Sequence, residues 1–154
     1  MKIGKAIIIF LGGIGIGAGI SNVMSKQNKN KIEKYSRFYR LYECWLMLKL
    51  SGGSLANFFD KNEIKSIAVY GYGSVGRMLV KELEETDIKI TGIIDRKRTT
   101  KTDGISLYYP EEALPDMDVV VITPFIDEKE IESSLRKNYN GKILYIEDII
   151  YDCI

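Results

Sequence analysis

Residues 64–95 read IKSIAVYGYGSVGRMLVKELEETDIKITGIID. A β-rich run, Ile64 to Tyr70, leads into the glycine turn Gly71-Tyr72-Gly73-Ser74-Val75-Gly76. Arg77 to Glu85 reads as a helix with Met78, Leu79 and Leu83 on its apolar side. Lys89 to Ile94 is a second strand, and Asp95 ends it 19 residues past the last glycine. Strand, glycine turn, helix, strand and terminal acid together give a G-x-G-x-x-G pattern its meaning. Gly71 permits the tight bend. Gly73 leaves room for a pyrophosphate, and Gly76 lets the helix lie close to the strand. The helix start offers unpaired N–H groups and a partial positive charge to phosphates, shared among Tyr72, Ser74 and Val75. Asp95 suits ribose hydroxyls.

Downstream the alternation continues. Ile105 to Tyr108 is a short strand, Pro110 to Leu114 a helical turn, and Asp118 to Thr123 an apolar strand buried on both faces. Asp127 is expected to cap a helix over Glu128 to Lys137. Lys142 to Ile146 is a fifth strand, before the closing IEDIIYDCI. This predicts an α/β fold, a doubly wound five-stranded parallel sheet of Rossmann-like type in order 3-2-1-4-5. Thr123 then lies on the same carboxyl edge as Gly71, where open α/β sheets bind ligands. The expected cofactor is NAD or NADP. Asp95 disfavours a 2′-phosphate while Arg96, in the basic run Arg96-Lys97-Arg98, welcomes one, and NAD is favoured.

The rest of the chain sets other bounds. With 154 residues, 45% apolar and 28% charged, it has room for about one domain with an ordinary core. A net charge of +1 excludes a globally basic nucleic-acid binder, and none is expected as a partner. The absence of histidine removes the usual general base and every Ser-His or Cys-His pair. Cys44 and Cys153 form no CxxC, so neither a disulfide framework nor a metal site is expected. No catalytic residue is assigned.

Charge is nevertheless uneven. Residues 1–50 carry nine basic and two acidic side chains, and the remainder is acidic. Between Lys5 and Lys26 lie twenty uncharged residues, AIIIFLGGIGIGAGISNVMS. A helix of that length spans a bilayer core of about 30 Å. Lys26, Lys29, Lys31, Lys34, Arg37 and Arg40 follow, which places the body of the chain on the cytoplasmic side of an inner membrane crossed once. A cleaved signal peptide and a buried strand with a glycine turn are the competing readings of this run. Gly13 with Gly17, and Gly15 with Gly19, have the GxxxG spacing of a helix-dimer face.

From Lys31 to Leu50 the spacing predicts an amphipathic helix whose Tyr35, Phe38, Tyr39, Tyr42, Trp45, Leu46 and Lys49 share a face, packed on the following domain or on a sister copy, with a nucleic-acid or membrane-surface face as the competing reading of its interleaved Lys and Arg. Ser54 should cap a short helix, LANFFDK. The expected organisation is an anchor over 1–25, a basic, aromatic-rich connector over 26–62 and a nucleotide-binding domain over 63–154.

From YSRFYRLYECWLMLKLSGGSLANFF through SIAVYGYGSVGRMLVKEL to TGIIDRK, the chain resembles small NAD(P)-binding Rossmann proteins of bacterial capsule and surface-polysaccharide gene clusters, often described as nucleoside-diphosphate-sugar epimerase-like. Gly71, Gly73, Gly76 and Asp95 match the binding motif. The resemblance implies surface-polysaccharide enzymes as partners. Short-chain epimerases use a Tyr-x-x-x-Lys pair, and no tyrosine here has a lysine four residues on. Three functions are consistent with these readings: a membrane-anchored nucleotide-binding module without chemistry of its own, a subunit of an oxidoreductase or nucleotide-sugar-modifying enzyme completed by a partner chain, and a ligand-free scaffold.

Overall fold

The computed structural model describes residues 29, 31–97, 102, 104–125 and 127–154. The expected anchor over 1–25, with its GxxxG pairs, lies outside the described residues. Among those described, no helix is long and apolar enough to cross a membrane. The chain divides into two compact units, Met1–Tyr39 and Arg40–Ile154. The larger unit thus takes in residues 40–62, most of the stretch expected as a connector.

Residues 31–50 are helical. In the smaller unit Ile32, Tyr35 and Tyr39 are exposed, and the Lys34 ammonium sits 5.7 Å from the Phe38 ring centroid. In the larger unit the helical residues 40–50, here α1, bury Leu41, Trp45 and Leu48 and expose Leu46, Met47 and Leu50. Of the expected aromatic stripe, Trp45 is buried whereas Tyr35, Tyr39 and Leu46 are exposed, so the stripe matches the buried face only in part. Leu41, Trp45 and Leu48 recur at i, i+4, i+7 and form the true inner seam, while Tyr35, Tyr39 and Leu46 remain in solvent.

The remaining elements are α2 (Leu55–Lys61), β1 (Ser66–Tyr70), α3 (Ser74–Leu83), β2 (Lys89–Ile94), β3 (Leu107–Tyr108), β4 (Val119–Ile122), α4 (Glu128–Leu135), β5 (Lys142–Tyr145) and α5 (Ile146–Asp152). All strand pairs are parallel, in the order β3-β2-β1-β4-β5. The α/β class and the strand order are as expected. β4 is buried throughout, because a parallel strand covered on both faces needs no alternation.

Ala68, Tyr70, Ile94, Val120 and Ile122 pack with Ile131 and Leu135 of α4 on one face. The alternating residues Ile67, Val69, Val119 and Val121 serve the other face. There α3 packs on β1, and α2 packs on α3 and α5. At the ladder's N-terminal end, the Asp118 carboxylate accepts the Lys65 and Ser66 amides, both at 2.8 Å, and the Ser66 hydroxyl at 2.9 Å. These bonds hold the Asp118 carboxyl below the usual carboxylate range. At the other end Tyr145 donates to Glu132 of α4 at 2.5 Å, and that bond pushes its phenol up to about 12.

Two local expectations are corrected. Pro110 to Leu114 is a turn, not a helical segment. The Glu112 carboxylate accepts the Tyr109 amide while the Glu112 amide bonds back to the Tyr109 carbonyl, and Pro115 disfavours the helical region for Leu114. Asp127 precedes α4 in the left-handed region, at φ 59°, and its side chain makes no capping bond.

A buried junction joins the helices of the other face. The Glu82 side chain is 8% exposed. It accepts the Trp45 indole N–H at 2.5 Å, the Lys49 ammonium at 3.2 Å, the Ser54 hydroxyl at 3.1 Å and the Leu55 amide at 2.8 Å. Ser54 meanwhile caps α2 as expected, accepting from the Ala56 amide at 3.2 Å. Glu82→Ala would remove the acceptor of all four donors and orphan the three part-buried ones, Trp45, Ser54 and Leu55, so a loss of about 3 kcal/mol is expected. Glu82→Gln, whose amide oxygen still accepts, should lose less than half of that. The midpoint of urea unfolding checks both.

Candidate nucleotide site

The carboxyl ends of β1, β2 and β4 share one sheet edge, and Gly71, Asp95 and Thr123 come directly after them. Gly71 carries the bend at φ +86°, a region that L side chains rarely adopt. A Cβ there would also stand 2.8 Å from Pro124 Cγ. The Gly71 amide still donates to the Ile94 carbonyl at 2.8 Å, so the ladder continues into the bend.

The next residues are held from both sides. The Tyr72 amide donates to Asp95 Oδ2 at 3.0 Å, and its carbonyl accepts from the Arg77 guanidinium at 3.1 Å. The Tyr72 side chain is buried beside a trough of about 470 Å³ that runs along α3 between Val80, Leu83, Ile90 and Ile105. Asp95 Oδ1 accepts the Lys97 amide at 2.9 Å. Both carboxylate oxygens are thus engaged, but each oxygen offers two lone pairs, so capacity for ribose hydroxyls remains.

Thr123 is 4% exposed. Its hydroxyl lies 2.8 Å from the Gly71 carbonyl and 3.1 Å from the Tyr70 carbonyl, and the single proton is shared between them. Thr123 therefore shapes the bend from behind. Arg96 is exposed, and its Nε donates to the Tyr70 hydroxyl at 3.2 Å, on the α4 side of the sheet. Burial raises the Tyr70 phenol above its ordinary value, which keeps it neutral.

Gly73 is the N-cap of α3, with φ −74° and no side-chain cap. A Cβ built on it would meet none of the described residues within 4 Å. Val75 and Gly76 of the first turn are buried, whereas Ser74 is exposed. A Cβ on Gly76 would lie 2.1 Å from the Gly71 carbonyl oxygen, so the helix touches the bend there.

All nine residues expected at the site, Gly71 to Gly76 with Asp95, Arg96 and Thr123, lie at or beside this edge. Sequence reasoning missed Tyr42. Its hydroxyl donates to Ser74 Oγ at 3.2 Å, which brings α1 to the first residue of α3. Arg77, which braces Tyr72, was missed as well. Neither carries a sequence signal beyond its neighbours, since both act through contacts with distant or backbone atoms.

The chain matches no family model and no curated protein. Among the described residues, no group of three or more acidic or cysteine side chains is arranged to hold a metal ion.

Proposed function

We propose that the chain is a nucleotide-binding module that takes the diphosphate of a dinucleotide at the Gly71–Gly76 turn. The carrying observation is an asymmetry among the three glycines. Packing accounts for Gly71, through its φ and Pro124, and for Gly76, through the Gly71 carbonyl. Among the described residues no packing contact accounts for Gly73, whose conformation suits any residue and whose missing side chain leaves open space. A ligand approaching the backbone does account for it. The uncapped start of α3 supplies the unpaired amides and the partial charge that favour an anion.

Asp95 at the end of β2 supports ribose recognition, and the bond from Arg96 to Tyr70 draws that guanidinium toward the α4 face. Both favour NAD over NADP. The resemblance to proteins of surface-polysaccharide clusters suggests a setting beside such enzymes. Calorimetry of the purified full chain with NAD, NADP and ADP tests the reading. Saturable heat with NAD and ADP, and weaker binding of NADP, is expected. No heat with any of the three overturns it.

Tyr42 gives a second measurement. Its hydroxyl orients Ser74 at the helix start, so Tyr42→Phe should weaken NAD and ADP binding about fivefold, the worth of about 1 kcal/mol, with adenosine unaffected. The unfolding midpoint should move little, because this bond is solvent-exposed.

A further inference from the structure

The short helical stretch of the smaller unit carries a surface the nucleotide reading does not use. Ile32, Tyr35 and Tyr39 are 70%, 69% and 70% exposed, and their i, i+3, i+7 spacing places them on one helical face. Lys29, Lys31, Lys34 and Arg37 alternate with them, against Glu33 as the only acid in residues 29–39. Exposed apolar side chains usually scatter singly, so three aligned on one face call for a partner.

We infer that this face lies in the headgroup layer of an anionic lipid bilayer. Charge is the first argument. Four basic side chains on so short a segment complement anionic headgroups, and their stems reach past the apolar face to do so. Residue type is the second. Two of the three apolar groups are tyrosines, whose rings seat in the interface while the hydroxyl stays wet. Position is the third. The face begins six residues after Lys26, which closes the twenty-residue uncharged run. A second copy of the chain would meet the same positive charges and so is disfavoured as the occupant.

The test uses the full chain carrying Tyr39→Trp, reconstituted into phosphatidylcholine–phosphatidylglycerol vesicles brominated high in the acyl chains. Trp45, 3% exposed, is the only native indole and gives the baseline in the unaltered chain. The introduced indole should lose about half its emission. The quenching should weaken in pure phosphatidylcholine and in about 1 M salt, where the Debye length is about 3 Å. Tyr35→Trp should behave alike. Vesicle flotation of the same samples reports whether the chain is on the membrane at all. An unquenched indole on floating vesicles overturns the inference, and in a chain that sediments as a dimer it assigns the face to a second copy. A chain that does not float overturns it as well. Neither result touches the nucleotide reading, which calorimetry decides.

Discussion

Gly76→Ala lowers the unfolding midpoint by about 10 °C, the expected consequence of about 3 kcal/mol lost in a domain of this size. The sign is what makes the experiment decisive. Within an ordinary helix the same change is stabilising by about 1 kcal/mol, because alanine loses less backbone entropy than glycine. Here the new methyl would stand 2.1 Å from the Gly71 carbonyl oxygen. That oxygen is backbone, held by the Thr123 hydroxyl at 2.8 Å, in a residue already committed to φ +86° and backed by Pro124. It cannot rotate aside as a side chain would. Relief requires α3 to lift from β1, which opens the seam where Val75, Leu79 and Leu83 are buried. Differential scanning calorimetry reads the shift. A midpoint equal to or above the unaltered chain would mean that the helix does not touch the bend.

Gly73→Asp separates folding from binding in the opposite way. The N-cap position is extended and its Cβ meets none of the described residues, so the folded chain accommodates the new side chain without strain. Aspartate is a preferred N-cap and glycine is adequate, so stability should hold or rise by a few tenths of a kcal/mol. The ligand loses on two counts. The carboxylate accepts the first-turn amides that a phosphate would use, and its charge repels the diphosphate at close range. NAD affinity should fall about 100-fold or more, near 3 kcal/mol. Calorimetry and a melting curve on one preparation read both effects. Unchanged NAD binding would remove the site from Gly73. Taken together, Gly76→Ala should damage the fold and Gly73→Asp the binding, though the two glycines are three residues apart.

These contrasts bear on what could be read from the sequence. Strand β2 and helix α2 begin and end where periodicity and the Ser54 cap place them, since their signals are local. Strand order came from the alternation of elements, because parallel crossovers leave few arrangements. The inner face of α1 was legible only in part. Trp45 stood on the expected stripe, but Leu41 and Leu48 are buried in place of Leu46, and which leucines turn inward depends on what packs there. Pro115 could have warned against the helical turn at Pro110 to Leu114. The left-handed Asp127 could not have been foreseen from residue type, since aspartate is a common N-cap in the extended conformation. Within the site, the glycines and Asp95 were visible because they act at fixed spacing along the chain. Tyr42 and Glu82 were not, because their roles depend on residues 32 and 27 or more positions away.

Glu82 and Ser74 stand eight residues apart on α3, about 12 Å along its axis at 1.5 Å per residue. Residues of α1 grip both points, Tyr42 at the first and Trp45 with Lys49 at the second. A rod clamped at two stations resists both rolling and sliding. Whatever adjustment a guest demands must then fall on the Gly71–Gly73 bend, and exchange of backbone protons with solvent should slow there on occupancy while staying unaltered around the rear clamp.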